Sequence, residues 1–126
     1  MHILMVDDEV DAQALFRQRF RKEIANNEVR FTFACSGNEA LSFLKDHMDD
    51  TNIILSDINM PGMNGLELLQ SIRRDYIRQN PFVMMITAYG DEQNYNHAKK
   101  LGADEFLTKP LDFGVLKEKL KTAVRN

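Results

Sequence analysis

A short apolar run followed by a longer amphipathic stretch occurs five times along this chain, and few folds accommodate that rhythm. The runs fall at residues 3–6, 29–34, 52–56, 82–86 and 105–108. The first, third and fourth are nearly continuous in Ile, Leu, Val and Met, the pattern of strands covered on both faces. The second alternates Val29, Phe31 and Phe33 with Arg30 and Thr32, which predicts a strand wetter on one face. Between the runs, apolar residues recur at helical spacing. Ala12, Phe16, Phe20 and Ile24 mark one helix over about residues 10–25. Ala40, Leu41, Leu44 and Met48 mark a second, and Leu66, Leu69, Ile72 and Tyr76 a third. Tyr95, Ala98 and Leu101 form a fourth, closed by Gly102 as its C-cap, and Phe113, Leu116, Leu120 and Val124 form the last. Asn64 and Asp91 read as N-caps, and Glu67 three residues after Asn64 as a loose capping box. Alternating strand and helix with crossovers of this length implies βαβ units. The expectation is one α/β domain over residues 1–126, a doubly wound five-stranded parallel sheet of (βα)5 flavodoxin-like form.

Length and composition fit that frame. A chain of 126 residues suits a single domain, and 44% hydrophobic with 28% charged residues is an ordinary globular balance. The formal charge of −3 argues against direct nucleic-acid binding by this domain. The start of the chain lacks the basic, long apolar pattern of a signal peptide, and no apolar segment approaches the length that spans a bilayer. The single cysteine, Cys35, forms no internal disulfide and reads as a small packed residue. A cytoplasmic location is expected.

In open α/β sheets, ligands lie beyond the carboxyl ends of the strands. Four of the five predicted strands end in polar residues: Asp7, Asp8 and Glu9 after the first, Asp57 after the third, Thr87 after the fourth, Lys109 and Pro110 after the fifth. Carboxylates gathered on one rim repel one another and call for a cation. Their hard oxygens suit Mg²⁺, with Mn²⁺ as the alternative. A lysine and a hydroxyl beside them suit phosphoryl oxygens, so the set points to phosphoryl transfer. Asp57 is the best nucleophile: it closes the most apolar strand, and a tight loop with Pro61, Gly62 and Gly65 follows.

At this point the chain resembles the receiver domains of bacterial two-component response regulators, a fold shared with the chemotaxis regulators. The stretches that carry the resemblance are residues 5–9, 55–65, 86–88, 101–104 and 107–110, in family order and from end to end. The resemblance implies that Asp57 is the phosphoacceptor, and that Asp57, Thr87 and Lys109 form the reactive set. It implies direct Mg²⁺ binding by Asp8 and Asp57, a water-mediated part for Asp7 and a backbone carbonyl from Asn59. Lys109 would hold a phosphoryl oxygen, aimed by a cis peptide before Pro110. Thr87 and Phe106 would be the switch pair, and Phe106 lacks the hydroxyl of the family's tyrosines. Asn59, Ala88 and Tyr89 would tune access to the phosphoryl group, with Tyr89 shielding it from water. The implied donor is a sensor histidine kinase or a histidine phosphotransfer protein. The readout would be the last helix–strand–helix face, about residues 91–123, acting on an output domain, a downstream protein or a second copy of the chain. The domain would catalyse only its own phosphorylation and dephosphorylation, and would stand alone or form part of a longer regulator.

Rival readings are weaker. A haloacid-dehalogenase-like phosphatase needs a second acid where Asn59 stands. A receiver-like module that no longer takes phosphate usually lacks part of the acid, threonine and lysine set. A flavodoxin-like carrier would need a phosphate-cradling loop where Asp7, Asp8 and Glu9 stand. Arg17, Arg19, Arg21 and Lys22, and Arg73 with Arg74, read as solvated helix faces. Lys117, Lys119 and Lys121 read as favourable charges near a helix C-terminus. His2, His47 and His97 show no metal-ligand spacing.

Overall fold

The computed structural model describes residues 1–123. The strands are β1 (His2–Val6), β2 (Arg30–Ala34), β3 (Ile53–Asp57), β4 (Phe82–Thr87) and β5 (Glu105–Thr108). They form one all-parallel sheet in the order β2-β1-β3-β4-β5. The helices are α1 (Val10–Arg19), α2 (Arg21–Ala25), α3 (Gly37–His47), α4 (Gly65–Asp75), α5 (Glu92–Lys100) and α6 (Phe113–Thr122). A 3₁₀ turn, Met48–Asp50, follows α3. The expected doubly wound, flavodoxin-like architecture is the one observed.

Side chains alternate across a strand, and the core divides accordingly. Leu4, Val6, Ile54, Val83 and Met85 face one layer with Ala40 and Leu44 of α3, Leu69 and Ile72 of α4 and Ala98 of α5. Ile3, Met5, Ile53, Leu55, Met84 and Ile86 face the other, with Phe16 of α1, Phe20, and Leu116 and Leu120 of α6. Each fully buried Val, Leu, Ile, Phe or Met side chain among them contributes about 1.5–3 kcal/mol. The edge strand β2 keeps its alternation: Phe31 and Phe33 stack at 5.6 Å between centroids, and Thr32 on the opposite face meets His2.

Several local expectations are met and some are corrected. Asn64 and Glu67 form the reciprocal capping box, and Asp91 caps α5. Beyond α5, Gly102 sits at φ 96°, one residue past the cap residue Leu101. There the Gly102 N–H donates to Lys99 and the Ala103 N–H to Ala98, a Schellman closure. The first helix divides at Phe20, whose ψ of 18° leaves the helical range. Cys35 is exposed rather than packed. Val124, expected in the last helical stripe, lies outside the described residues. No helix among the described residues is long and apolar enough to cross a membrane.

Candidate phosphoryl and metal site

The sheet register builds the rim. Val6 pairs with Ser56, which sets Asp7 level with Asp57, and Asp57 pairs with Ile86. Thr87 pairs with Thr108, and the Lys109 N–H continues the ladder by donating to the Thr87 carbonyl. Asp7, Asp8, Asp57, Thr87 and Lys109 therefore meet at one end of the sheet because each closes or follows a strand.

The centre is Asp57, only 2% exposed. Its Oδ2 accepts from Lys109 Nζ at 2.6 Å, and its Oδ1 accepts from the Asn59 N–H at 3.2 Å. Asp7, 9% exposed, accepts from the Glu9 N–H at 2.8 Å. One oxygen from each of Asp7, Asp8 and Asp57 lies within 4.8 Å of the others. Burial pushes the Asp7 carboxyl up from its ordinary range; the Glu9 N–H opposes this and the charge on Asp57 adds to it. Burial pulls the Lys109 ammonium down, but its hydrogen bond to the Asp57 carboxylate and the acids around it outweigh that and raise it. Three carboxylates against one ammonium leave two negative charges, which a divalent cation balances. The donors are hard oxygens on a part-buried rim with Asp8 exposed to water. That set fits Mg²⁺, which takes few carboxylates and keeps several waters.

Gly65 lets the loop after β3 close over this site. Its N–H donates to the Ile58 carbonyl at 2.8 Å. A Cβ there would stand 2.3 Å from the Asp57 carbonyl oxygen and 2.7 Å from Ile58 Cα, so no other residue fits without moving the backbone under Asp57. The sequence reading placed Gly65 only in a tight loop; its contact with the Asp57 backbone has no local signature.

The remaining sequence-derived residues lie around this centre. Thr87 is buried, at 3% exposure, and the Lys109–Pro110 peptide is cis. Phe106 is half-buried, its ring 4.3 Å from that of Tyr95 between centroids. Thr87, Ala88, Tyr89, Tyr95 and Thr108 line a cavity of about 320 Å³. Asn59 is exposed, and Tyr89 is 87% exposed, so its ring does not cover Asp57 in this conformation.

Fold and rim together define a receiver-type signalling domain: a five-stranded parallel sheet carrying an acidic trio and a lysine at its carboxyl end. The family model of the response regulator receiver domain matches residues 3–121. The chain is 35% identical to chemotaxis protein CheY-3 of Vibrio cholerae over 95% of its own length and 88% of that protein's. It is 33% identical to sporulation initiation phosphotransferase F of Bacillus subtilis, covering 94% and 90%. It is 38% identical to the response regulator protein PilR of Pseudomonas aeruginosa over 97% of this chain, but spans 26% of that longer protein. A response regulator receiver domain protein from Clostridium thermocellum superposes with a TM-score of 0.84 at 25% identity, covering 97% and 92%. The chain belongs to the response regulator receiver domain family of two-component systems.

Proposed function

We propose that this domain takes a phosphoryl group onto Asp57 from a phosphohistidine of a sensor kinase or phosphotransfer protein, and that this switches its last helix–strand–helix face. The observation that carries the reading is the buried Asp57 carboxylate, held at 2.6 Å by Lys109 and crowded by Asp7 and Asp8.

An Asp57 carboxylate oxygen attacks phosphorus, forming the O–P bond as the P–N bond to the donor imidazole breaks. The electron pair of that bond stays on the departing ring nitrogen. Asp57 thereby loses its carboxylate charge, the phosphoryl group brings its own negative charges to the rim, and the departing imidazole nitrogen takes up a proton from solvent. Lys109 then exchanges its contact with Asp57 Oδ2 for a phosphoryl oxygen, keeping a charge-assisted hydrogen bond throughout. When bound at Asp7, Asp8, Asp57 and the Asn59 carbonyl, Mg²⁺ supplies charge neutralisation at the transferring group. The Thr87 hydroxyl, at the end of the adjacent strand, donates to the phosphoryl group. Its shift toward that group opens space on the Tyr95 side, which the Phe106 ring takes up. Phosphate acts by favouring one of two packings, a population shift. Asn59, Ala88 and Tyr89 border the route by which water reaches the phosphoryl group, and hydrolysis restores Asp57. The domain catalyses no other turnover.

The test is an intact mass after incubation with Mg²⁺ and acetyl phosphate. One phosphoryl adduct is expected, absent from Asp57→Ala and from a sample without Mg²⁺. No adduct on the wild type from acetyl phosphate or from any histidine kinase tried would leave a phosphate-independent binding module as the better reading.

A further inference from the structure

The opposite rim of the sheet, at the amino ends of β1 and β2, holds a larger cavity of about 780 Å³, within the size range of small-molecule sites. Arg17, Arg21 and Arg30 line it, with Asp50 as the acid among the lining residues. This local excess of positive charge stands on a chain whose formal charge is −3. Its apolar wall comes from Ile24, Val29 and Phe31.

The arginines are open to a ligand. Among the described residues Arg17 and Arg21 have no ion-pair partner, and both are exposed. The Arg17 guanidinium lies over the Phe33 ring at 4.9 Å, which limits its freedom before any anion arrives. Arg30 is tethered through its hydrogen bond to His2 Nδ1 at 3.2 Å. A guanidinium presents paired N–H donors that match phosphate oxygens, and its rigid fork loses little freedom on binding. The half-buried Ile24, Val29 and Phe31 offer a surface for a flat apolar group beside the charged end.

We infer that this basic cavity is a second ligand site, taking a phosphorylated small molecule with a planar body, of nucleoside monophosphate size. The phosphate lies against Arg17 and Arg21, and the planar part against Ile24 and Phe31. The site does not depend on Asp57 and lies at the other end of the strands.

The probe is adenosine monophosphate, titrated into the isotopically labelled 126-residue chain in Mg²⁺-free buffer and followed by amide chemical shifts. Saturable shifts are expected at Ile24, Asn27, Phe31 and Asn52, with half-saturation at about 1 mM or below. Arg17→Glu and Arg21→Glu should each weaken binding at least about tenfold. Both replace exposed side chains, so each keeps the folded spectrum, and either alone suffices for the comparison. Adenosine and inorganic phosphate should each bind more weakly than the nucleotide. The inference is overturned by an absence of saturable shifts, by shifts centred on Asp7 and Asp57, or by unchanged affinity in the charge reversals. Equal binding of adenosine or of phosphate alone would also overturn it.

Discussion

Lys109 has two opposed effects on the acidic rim, and they can be separated. Its ammonium offsets one of three carboxylate charges, and under the proposed function it also meets a phosphoryl oxygen. Lys109→Ala should therefore tighten Mg²⁺ binding by about tenfold, since the remaining carboxylates lose a competing positive charge. The same change should slow phosphoryl uptake from acetyl phosphate by about a hundredfold, the usual scale for losing one preorganised electrostatic partner. Calorimetric Mg²⁺ titration and the rate of adduct formation by mass report the two effects. A fall in both would show that the lysine mainly holds the rim in shape. Asp7 gives the converse case. Burial and the charge on Asp57 raise its carboxyl, so its ionised form costs stability at neutral pH. Asp7→Asn removes that cost while keeping an acceptor for the Glu9 N–H. In Mg²⁺-free buffer it should raise the melting temperature by about 3 °C, and it should weaken Mg²⁺ binding. A lower melting temperature without metal would mean that the carboxylate is a net stabiliser of the loop.

At the scale of elements, Arg73 near the end of α4 joins three segments. Its guanidinium donates to the Gly102 carbonyl, to the Pro81 carbonyl at 2.7 Å and to Asp104 at 2.9 Å, and its side chain is 19% exposed. The Asp104 carboxylate in turn accepts from the Val83 N–H at 2.9 Å at the head of β4. Arg73→Ala leaves the buried Pro81 carbonyl and the part-buried Asp104 carboxylate without this donor and should destabilise by about 2–3 kcal/mol, read by urea unfolding. Arg74, exposed and bonded only to its neighbour Asp75 among the described residues, should change stability by less than about 0.5 kcal/mol when replaced by alanine. The sequence reading gave both arginines the same solvated face, because nothing adjacent distinguishes them. What fixes Arg73 is two backbone carbonyls, which carry no residue identity, and the Asp104 carboxylate, which lies 31 residues away in sequence with no local signal to pair them. Lys117 and Lys119 follow the same logic: they bridge Glu23 and Glu105 in other elements rather than serving only their own helix end. The strands were legible because burial on both faces writes continuous apolar runs into residues 3–6, 53–55 and 83–86. The carboxyl-end rim followed from them, since Asp7, Asp57, Thr87 and Lys109 each lie at a run's end. The break at Phe20 was not legible, because Phe16, Phe20 and Ile24 keep the helical spacing across it and both phenylalanines stay buried.

For the whole molecule, acid stability divides into two pH windows with different causes. Hydrogen bonds from Lys117 and Lys119 lower the carboxyls of Glu23 and Glu105 below the usual 4.5. A depressed carboxyl contributes stability that is complete above its unfolded value and is lost as pH falls through the folded one, so both bridges fade only below about pH 4.5. His2 acts earlier. It is 6% exposed, and burial lowers it from 6.5; the nearby Arg30 guanidinium adds to the effect, while the Asp50 carbonyl opposes it. Its Nε2 meets the Thr32 hydroxyl at 2.7 Å, and its Nδ1 lies between the Asp50 carbonyl and Arg30. The folded state thus favours the neutral ring, whereas the unfolded chain protonates it near 6.5. The unfolded state then holds more protons, and stability must fall as pH drops from about 6.5 toward the folded value. Asp7, whose carboxyl is raised by burial, works in the opposite direction, gaining stability as pH falls, so a decline in stability between pH 7.5 and 5.5 points to His2. Urea midpoints of the wild type should therefore decline across that interval. A His2→Gln variant, less stable at pH 7.5 through its altered contacts, should show no such decline over the same range. An equal decline in the variant would place the acid-sensitive group elsewhere, and His47 and His97, both exposed, would then be replaced in turn.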